Sequence, residues 1–349
     1  MKFNLLNRSI SSTSKPFIIA EMSGNHNGSL SRAIEMVELA AYAKVDAIKL
    51  QTFKPESITM NLKTKKFTIQ NKDSLWYGKT LYDLYKIAYT PWEWHKPIFK
   101  KADELGLKYF STPFDEKAVD FLESLNTPFY KIASFENIHI PLIRKVAKTN
   151  KPIIISTGLA SISEIHDALE TIKAAGKNQY ALLKCTSQYP ANPKDSNILT
   201  IPHMKKLFDC EIGLSDHTLG IGAAIAAVAH GASIIEKHFT IKRKDGGLDS
   251  AFSLEPDELK NLVIECTRAN KSLGSIKYGL SVSEHSSKIF RRSIFVTNDI
   301  KKNQKFNKSN IRCIRPGYGI SPKYFDIIIG KKAKKDIKKG TPINWDLIS

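Results

Sequence analysis

Over roughly its first 270 residues this chain repeats one pattern: a short β-branched run, then a longer stretch with apolar residues three and four apart. The runs are FIIAEM (17–22), AIKLQTF (47–53), KYFSTPF (108–114), FYKIAS (129–134), PIIISTG (152–158), YALLKCTS (180–187), EIGLSDH (211–217) and IIEKHFTI (234–241). Segments such as SRAIEMVELAAYAK, EKAVDFLESL and SEIHDALETIKAAG lie between them, and Gly222 to Ala229 reads as a packed helix. Nearly continuous apolar strands imply a parallel sheet covered by helices. Eight such units in this length predict an α/β fold, a closed (β/α)₈ TIM barrel.

The ends of the runs carry polar or ionisable side chains: Glu21, Lys49, Gln51, Thr112, Lys131, Ser134, Ser156, Thr157, Ser187, Tyr189, Ser215, Asp216, His217, Glu236 and His238. In a barrel these ends gather at one face, where active sites are built. Any strand end can turn polar, which accounts for Ser and Thr. It accounts poorly for two Lys, two His and two Glu.

The rhythm stops near Gly274. We expect a barrel domain over 1–275, a polar linker over 276–289 that includes SEHSSK, and a small, mostly β domain over 290–349. Much of the formal charge of +19 sits in that last part, which holds 15 Lys and Arg against 4 Asp and Glu, a net +11. A basic tail fits nucleic acid, steering of a small anion, or a merely solvated surface. No aromatic RNA-binding motif or zinc-finger spacing favours the first, so no nucleic-acid partner is expected. No run of about 18 apolar residues or secretory leader is present, so neither membrane insertion nor secretion is expected. The four cysteines are scattered without a C-x-x-C pair, which fits free thiols in the cytoplasm.

SDH at 215–217 and EKH at 236–238 form the strongest constellation. Histidines at the mouths of two adjacent strands offer a divalent cation two imidazole nitrogens, with Asp216 and Glu236 near enough to orient them. Strand-end histidines are also common as ordinary polar residues.

Here the sequence resembles a known family. AEMSGNHNGS, DAIKLQTF, YKIASFE, STGLAS, KCTSQYP, GLSDHTLG, EKHFTI and RPGYGI match, in order, the motifs of the sialic acid synthases, and the likeness extends into a C-terminal segment similar to their antifreeze-like (SAF) domain. Such enzymes join C3 of phosphoenolpyruvate to an acetamido-sugar aldehyde, add water at C2 and release phosphate. The resemblance implies that His217 and His238 bind the metal (Mn²⁺ or Mg²⁺, with Co²⁺ as a further choice). It implies that Lys49 and Lys131 hold phosphoenolpyruvate with Ser134, Ser156 and Ser215, and that Gln51, Tyr189 and Asp249 touch the sugar. Glu21 and Glu236 become the acid–base candidates. Ser187 stands where other members carry Asn. Arg315 matches an arginine that reaches from one subunit's antifreeze-like domain into its partner's barrel, which implies a homodimer.

The stretch SLWYGKTLYDLYKIAYTPWEWH (74–95) resembles the pseudaminate branch more than the N-acetylneuraminate or legionaminate branches. The acceptor expected is 2,4-diacetamido-2,4,6-trideoxy-β-L-altropyranose, a 6-deoxy sugar whose methyl group favours an aromatic wall. Leu81, Leu84, Tyr85 and Ala88 equally fit one face of a packed helix. Two other classes of function stay open: a Schiff-base aldolase using Lys131, and a non-enzymatic protein that binds polyanions through its basic tail.

Overall fold

The computed structural model describes residues 3–5, 8–176 and 179–349. The chain divides into two compact units, Met1–Gly274 and Ser275–Ser349.

The first unit is a closed barrel of eight parallel strands: β3 (Phe17–Glu21), β4 (Ala47–Thr52), β5 (Lys108–Pro113), β6 (Tyr130–Ile132), β7 (Ile153–Ser156), β8 (Tyr180–Cys185), β9 (Glu211–Asp216) and β10 (Ile234–His238), which pairs back onto β3. Helices α1 (Leu30–Tyr42), α2 (Pro55–Ile58), α3 (Leu81–Ala88), α4 (Trp92–Glu104), α5 (Glu116–Ser124), α6 (Ile140–Ala147), α7 (Ile162–Ala175), α8 (Thr200–Phe208), α9 (Gly222–Ala229) and α10 (Pro256–Leu273) occupy the connections and follow β10. Several begin at a side chain suited to stop a strand and start a helix. Ser161 caps α7 by accepting from the Glu164 N–H while Glu164 reaches back, and Asp115 does the same work for α5 through Ala118.

Strand alternation then sorts the side chains. One parity, with Ile18, Ala20, Ile48, Leu50, Ile153, Ile155, Leu182, Ile212, Leu214 and Ile235, packs under the helices in one large core. The other parity points into the lumen. Its lower layers are apolar, with Phe17, Ile19, Ala47, Phe110, Phe129, Ile154, Ala181, Leu183 and Ile234. An antiparallel strand pair that no sequence periodicity announced, β1 (Phe3–Leu5) with β2 (Arg8–Ile10), adds Phe3, Leu5 and Ile10 to this cluster. With the lower lumen filled, only its upper layer is left for chemistry. That layer holds the ionisable residues of the strand ends.

The second unit has its own core, with Ile294, Val296, Ile300, Phe306, Ile311, Ile328 and Ile343. Strands β11 (Ser293–Val296) and β12 (Ile311–Ile314) pair antiparallel, and isolated bridges such as Ile300–Ile337 and Ala333–Ile348 extend the pairing. One short helix, α11 (Phe325–Ile328), joins them, and 3₁₀ turns lie at Val282–Glu284, Ser286–Phe290, Pro322–Tyr324 and Trp345–Leu347. Among the described residues no helix is long and apolar enough to cross a membrane.

Candidate active site

The upper layer of the lumen is a network of buried charges. Lys49 of β4 meets the Glu21 carboxylate of β3 at 2.5 Å and donates to the Thr112 hydroxyl at 3.1 Å. Lys131 of β6 donates to Ser156 at 2.7 Å and lies 3.4 Å from Glu236 of β10. Glu236 also accepts from Ser215 at 3.1 Å, and its other oxygen stands 3.9 Å from Lys49 with no hydrogen-bond partner. Glu236 thus stands between both lysines.

These environments separate the two carboxylates. Burial pushes Glu21 up, Lys49 pulls against it, Glu236 adds to the push, and the net direction is up. Burial also opposes ionisation of Glu236, but Lys131 and Lys49 together outweigh it and hold that carboxyl below its usual range. Lys131 moves down, burial outweighing Glu236, while Lys49 moves up because Glu21 and Glu236 outweigh its burial. Two carboxylates pushed in opposite directions suit different parts in acid–base chemistry, Glu21 the acid and Glu236 the base. Glu21 and Glu236 are thus shared among two buried lysines, and two amino groups gathered in one lumen suit an anionic ligand.

Ser134, at the start of a 3₁₀ turn after β6, accepts from the Gly158 N–H at 3.1 Å. A Cβ on Gly158 would stand 2.1 Å from the Ser187 hydroxyl and 2.7 Å from that of Ser134, so only glycine leaves this hydroxyl cradle open. Ser187 therefore belongs to the cluster although it is not the expected Asn.

His217 and His238 stand side by side, ring centroids 5.2 Å apart and both rings buried. Nδ1 of His217 lies 3.0 Å from the Thr186 carbonyl oxygen. A carbonyl can only accept, so Nδ1 carries a proton and Nε2 is the nitrogen left to face a metal ion. His238 Nδ1 has no hydrogen-bond partner and lies 3.6 Å from Asp249, whose carboxylate accepts from Ser23. Burial and the charges of His217 and Lys49 hold His238 well below the normal imidazole range, so its ring is neutral. Burial also disfavours charge on His217, but contact with the Cys185 thiol at 3.9 Å and with Thr186 shifts it up. Burial pushes the Cys185 thiol up, and the His217 contact overcomes this to bring it to about 7.

The expected orienting partners differ from those observed. Asp216 faces away from His217 and bonds Lys237, and Glu236 serves Lys131 and Ser215. Thr186 and Asp249 stand beside the imidazoles instead. Among the described residues no three His, Cys, Asp or Glu side chains converge into a cage for a metal ion. An open site of two imidazoles, with water or substrate completing the shell, is what this donor set fits.

On the other side of the histidines the lining turns aromatic. Tyr189 packs on His217 with centroids 4.4 Å apart, and Phe252 packs on Tyr189 and His238 at 5.6 and 5.0 Å. Trp76, from the long segment between β4 and α3, lies 5.7 Å from Tyr189 and donates its indole N–H to the Leu248 carbonyl at 3.1 Å. The expected packed helix also forms as α3, where Leu84 is buried. Gln51 donates to Glu21 at 2.9 Å and to Ser23 at 3.2 Å, which joins it to the Asp249 cluster. Arg315 follows β12 in the second unit and is exposed.

Sequence reasoning passed over Glu136. It sits in YKIASFE, two residues after Ser134, and burial raises its carboxyl to about 7 while one oxygen finds no partner. Its place inside a quoted motif was the available signal.

Comparison with known proteins gives a consistent result. Residues 36–278 match the model of the NeuB family, and residues 291–349 match the SAF domain. The chain is 42% identical over 326 residues to the pseudaminic acid synthase of Campylobacter jejuni, covering 93% of this chain and 94% of that protein. It is 40% identical over 332 residues to the pseudaminic acid synthase of Helicobacter pylori, covering 95% and 97%. A crystal structure of N-acetylneuraminic acid synthetase from Leptospira borgpetersenii superimposes with a TM-score of 0.73 at 34% identity, covering 82% of this chain and 95% of that one.

Proposed function

The chain belongs to the NeuB family, and we propose that it condenses phosphoenolpyruvate with 2,4-diacetamido-2,4,6-trideoxy-β-L-altropyranose and water to give pseudaminic acid and phosphate. The observation that carries the chemistry is the placement of two buried ammonium groups, Lys49 and Lys131, in the same lumen as two imidazoles with free nitrogens.

Lys49 and Lys131 bind the phosphate and carboxylate of phosphoenolpyruvate, with Ser134, Ser156, Ser187 and Ser215 donating hydroxyls around them. Arrival of that anion returns Lys131 toward its usual protonation, because the new charge offsets burial. Glu136, near 7, exchanges a proton with the sugar hydroxyl as the ring opens to the aldehyde. C3 of phosphoenolpyruvate then bonds the aldehyde carbon as the C=O π bond opens to an oxygen that takes up a proton from Glu136, and water adds at C2, where positive charge develops. Glu236, held ionised, faces that charge and takes the water's proton. Glu21, whose carboxyl is pushed up, donates to the departing phosphate as the C2–O bond breaks, and the water's second proton returns to Glu136 as the C2 hydroxyl becomes the ketone.

His217 and His238 are the residues that would hold a divalent ion. When bound, it supplies Lewis acidity at the aldehyde oxygen. Imidazole donors favour Mn²⁺ or Co²⁺ over Mg²⁺, and loading the site releases whatever proton His217 carries.

Gln51, Asp249 and Tyr189 face the acceptor from the histidine side. The Trp76–Tyr189–Phe252 wall supports a 6-deoxy acceptor: a methyl group packs on such rings, whereas a hydroxymethyl would arrive there without a partner. Legionaminate precursors share that methyl group, so the wall separates both from N-acetylmannosamine.

A homodimer completes the proposal. The βα loops at the barrel mouth expose Phe135, Ile138, Leu159, Ile162, Leu199 and Leu219, with Leu159 76% accessible. Several large apolar side chains exposed on neighbouring loops favour an interface there. The partner's exposed Arg315 is the residue proposed to reach the acetamido group. Free thiols at all four cysteines support a cytoplasmic setting.

The test is phosphate release from phosphoenolpyruvate with the altrose derivative, its gluco-configured legionaminate counterpart and N-acetylmannosamine in parallel. The altrose derivative is expected to be turned over fastest. Release equally fast with N-acetylmannosamine contradicts the assignment.

A further inference from the structure

Between the two histidine motifs lies a buried ion pair that the chemistry above does not use. Ser215 and Glu236 face the lumen, so Asp216 and Lys237, one position further along their strands, face the helix layer. They are direct register partners of the β9–β10 pairing. Lys237 donates to Asp216 Oδ2 at 2.7 Å and to the Thr218 carbonyl oxygen, while Asp216 Oδ1 accepts from the Thr218 N–H at 2.9 Å. The side chains are 0% and 2% accessible. Glu258 of α10 adds a longer-range attraction to Lys237.

Stability is a poor reason for this arrangement. A buried ion pair offsets little more than its own desolvation, and an apolar pair of similar volume serves as well or better. The neighbouring outward positions on the same strands, Leu214 and Ile235, are themselves register partners and apolar. Apolar packing, however, has no direction. The three bonds made by Lys237 and Asp216 do: they tie the end of β10 to the end of β9 and to the turn after it. His217 sits inside that ring, between Asp216 and Thr218. His238 follows Lys237 directly.

We propose that Asp216 and Lys237 form a positioning clamp that fixes the separation and direction of the His217 and His238 rings, and so sets the affinity of the site for a divalent ion. This rests on the metal reading given above. The clamp touches neither ion nor substrate, so its residues are positioning residues. The same geometry explains why both motifs carry a charged residue beside their histidine where the preceding outward positions of those strands, Leu214 and Ile235, are apolar.

The experiment titrates metal-free protein with Mn²⁺, reading free ion by electron paramagnetic resonance, and records thermal unfolding of the same samples. The double variant Asp216→Leu/Lys237→Met replaces the pair with apolar volume. Its metal-free form is expected to unfold at or above the wild-type temperature while Mn²⁺ affinity falls on the order of 10- to 100-fold, the usual effect of losing an outer partner of a metal ligand. Unchanged Mn²⁺ affinity overturns the clamp. Should the double variant not fold, Asp216→Asn keeps the volume and the Thr218 bond but removes the charge; weaker Mn²⁺ binding is again expected, and unchanged binding again overturns the clamp. Wild-type protein that binds no Mn²⁺ overturns the metal reading and the clamp together, whereas wild type and variants that bind equally overturn the clamp alone.

Discussion

Lys131 reaches the Glu236 carboxylate at 3.4 Å from the opposite side of the lumen, both residues buried. Breaking such a pair one-sidedly leaves a lone buried charge, which destabilises by about 3–5 kcal/mol. Glu236→Gln is therefore expected to lower the unfolding temperature, and phosphoenolpyruvate is expected to restore much of it by supplying the missing anion. Thermal unfolding with and without phosphoenolpyruvate checks this. Equal shifts in variant and wild type would argue against an anion site between the lysines. Lys131→Met should raise the KM for phosphoenolpyruvate by roughly 10- to 100-fold, as expected for a lost charge-assisted contact of about 1.5–3 kcal/mol.

Trp76 makes a prediction about the sugar alone. Trp76→Ala should raise the KM for the 6-deoxy acceptor by roughly tenfold or more, equivalent to about 1.5 kcal/mol of lost aromatic contact, and leave the KM for phosphoenolpyruvate unchanged. Steady-state kinetics with each substrate varied in turn separates the two. A parallel rise in both values would mean that the segment supports the whole lumen.

Much of this site was legible in the sequence because the barrel turns a linear signal into a place. Apolar runs ending in Lys, Glu or His put Lys49, Lys131, Glu21, Glu236, His217 and His238 at one rim as soon as eight strands are counted. What the sequence hid were facts of parity and distance. Asp216 beside His217 looks like its partner until alternation turns it to the helix side, where Lys237 meets it. Trp76 finds its acceptor at Leu248, 172 residues away. Glu136 has an ordinary carboxyl until remote residues bury it, and three-residue strands such as β1 and β2 are too short to show a period.

Two buried histidines outside the site couple stability to pH. Burial lowers both His26 and His95 to about 4, and His95 shares its ring nitrogen with the Thr52 hydroxyl at 2.7 Å. Both take up protons in the unfolded chain near 6.5 but not in the fold until about pH 4. Their contribution is therefore complete above about 6.5, declines as pH falls toward 4, and is flat below; each amounts to about 3 kcal/mol at most. Denaturant unfolding across this window should show a pH slope smaller by nearly one proton in His95→Gln than in wild type. Identical slopes would mean that His95 is not held neutral.

The proposed sharing of active sites between two subunits predicts complementation. Arg315→Ala and His238→Ala should each be nearly inactive, yet co-expressed subunits should regain about a quarter of wild-type activity. Half of the dimers are then mixed, and one of the two sites in each carries neither change. No recovery in purified mixed dimers would place Arg315 in its own subunit's site or outside catalysis.

The most direct test of the central claim is phosphate release from phosphoenolpyruvate and the diacetamido-trideoxy altrose by wild-type protein, first stripped of metal and then resupplied with Mn²⁺. The account predicts no release from stripped protein, recovery with Mn²⁺, and no recovery in His238→Ala that remains folded. Undiminished release without metal, or a borohydride-trapped pyruvate adduct on Lys131, would contradict it.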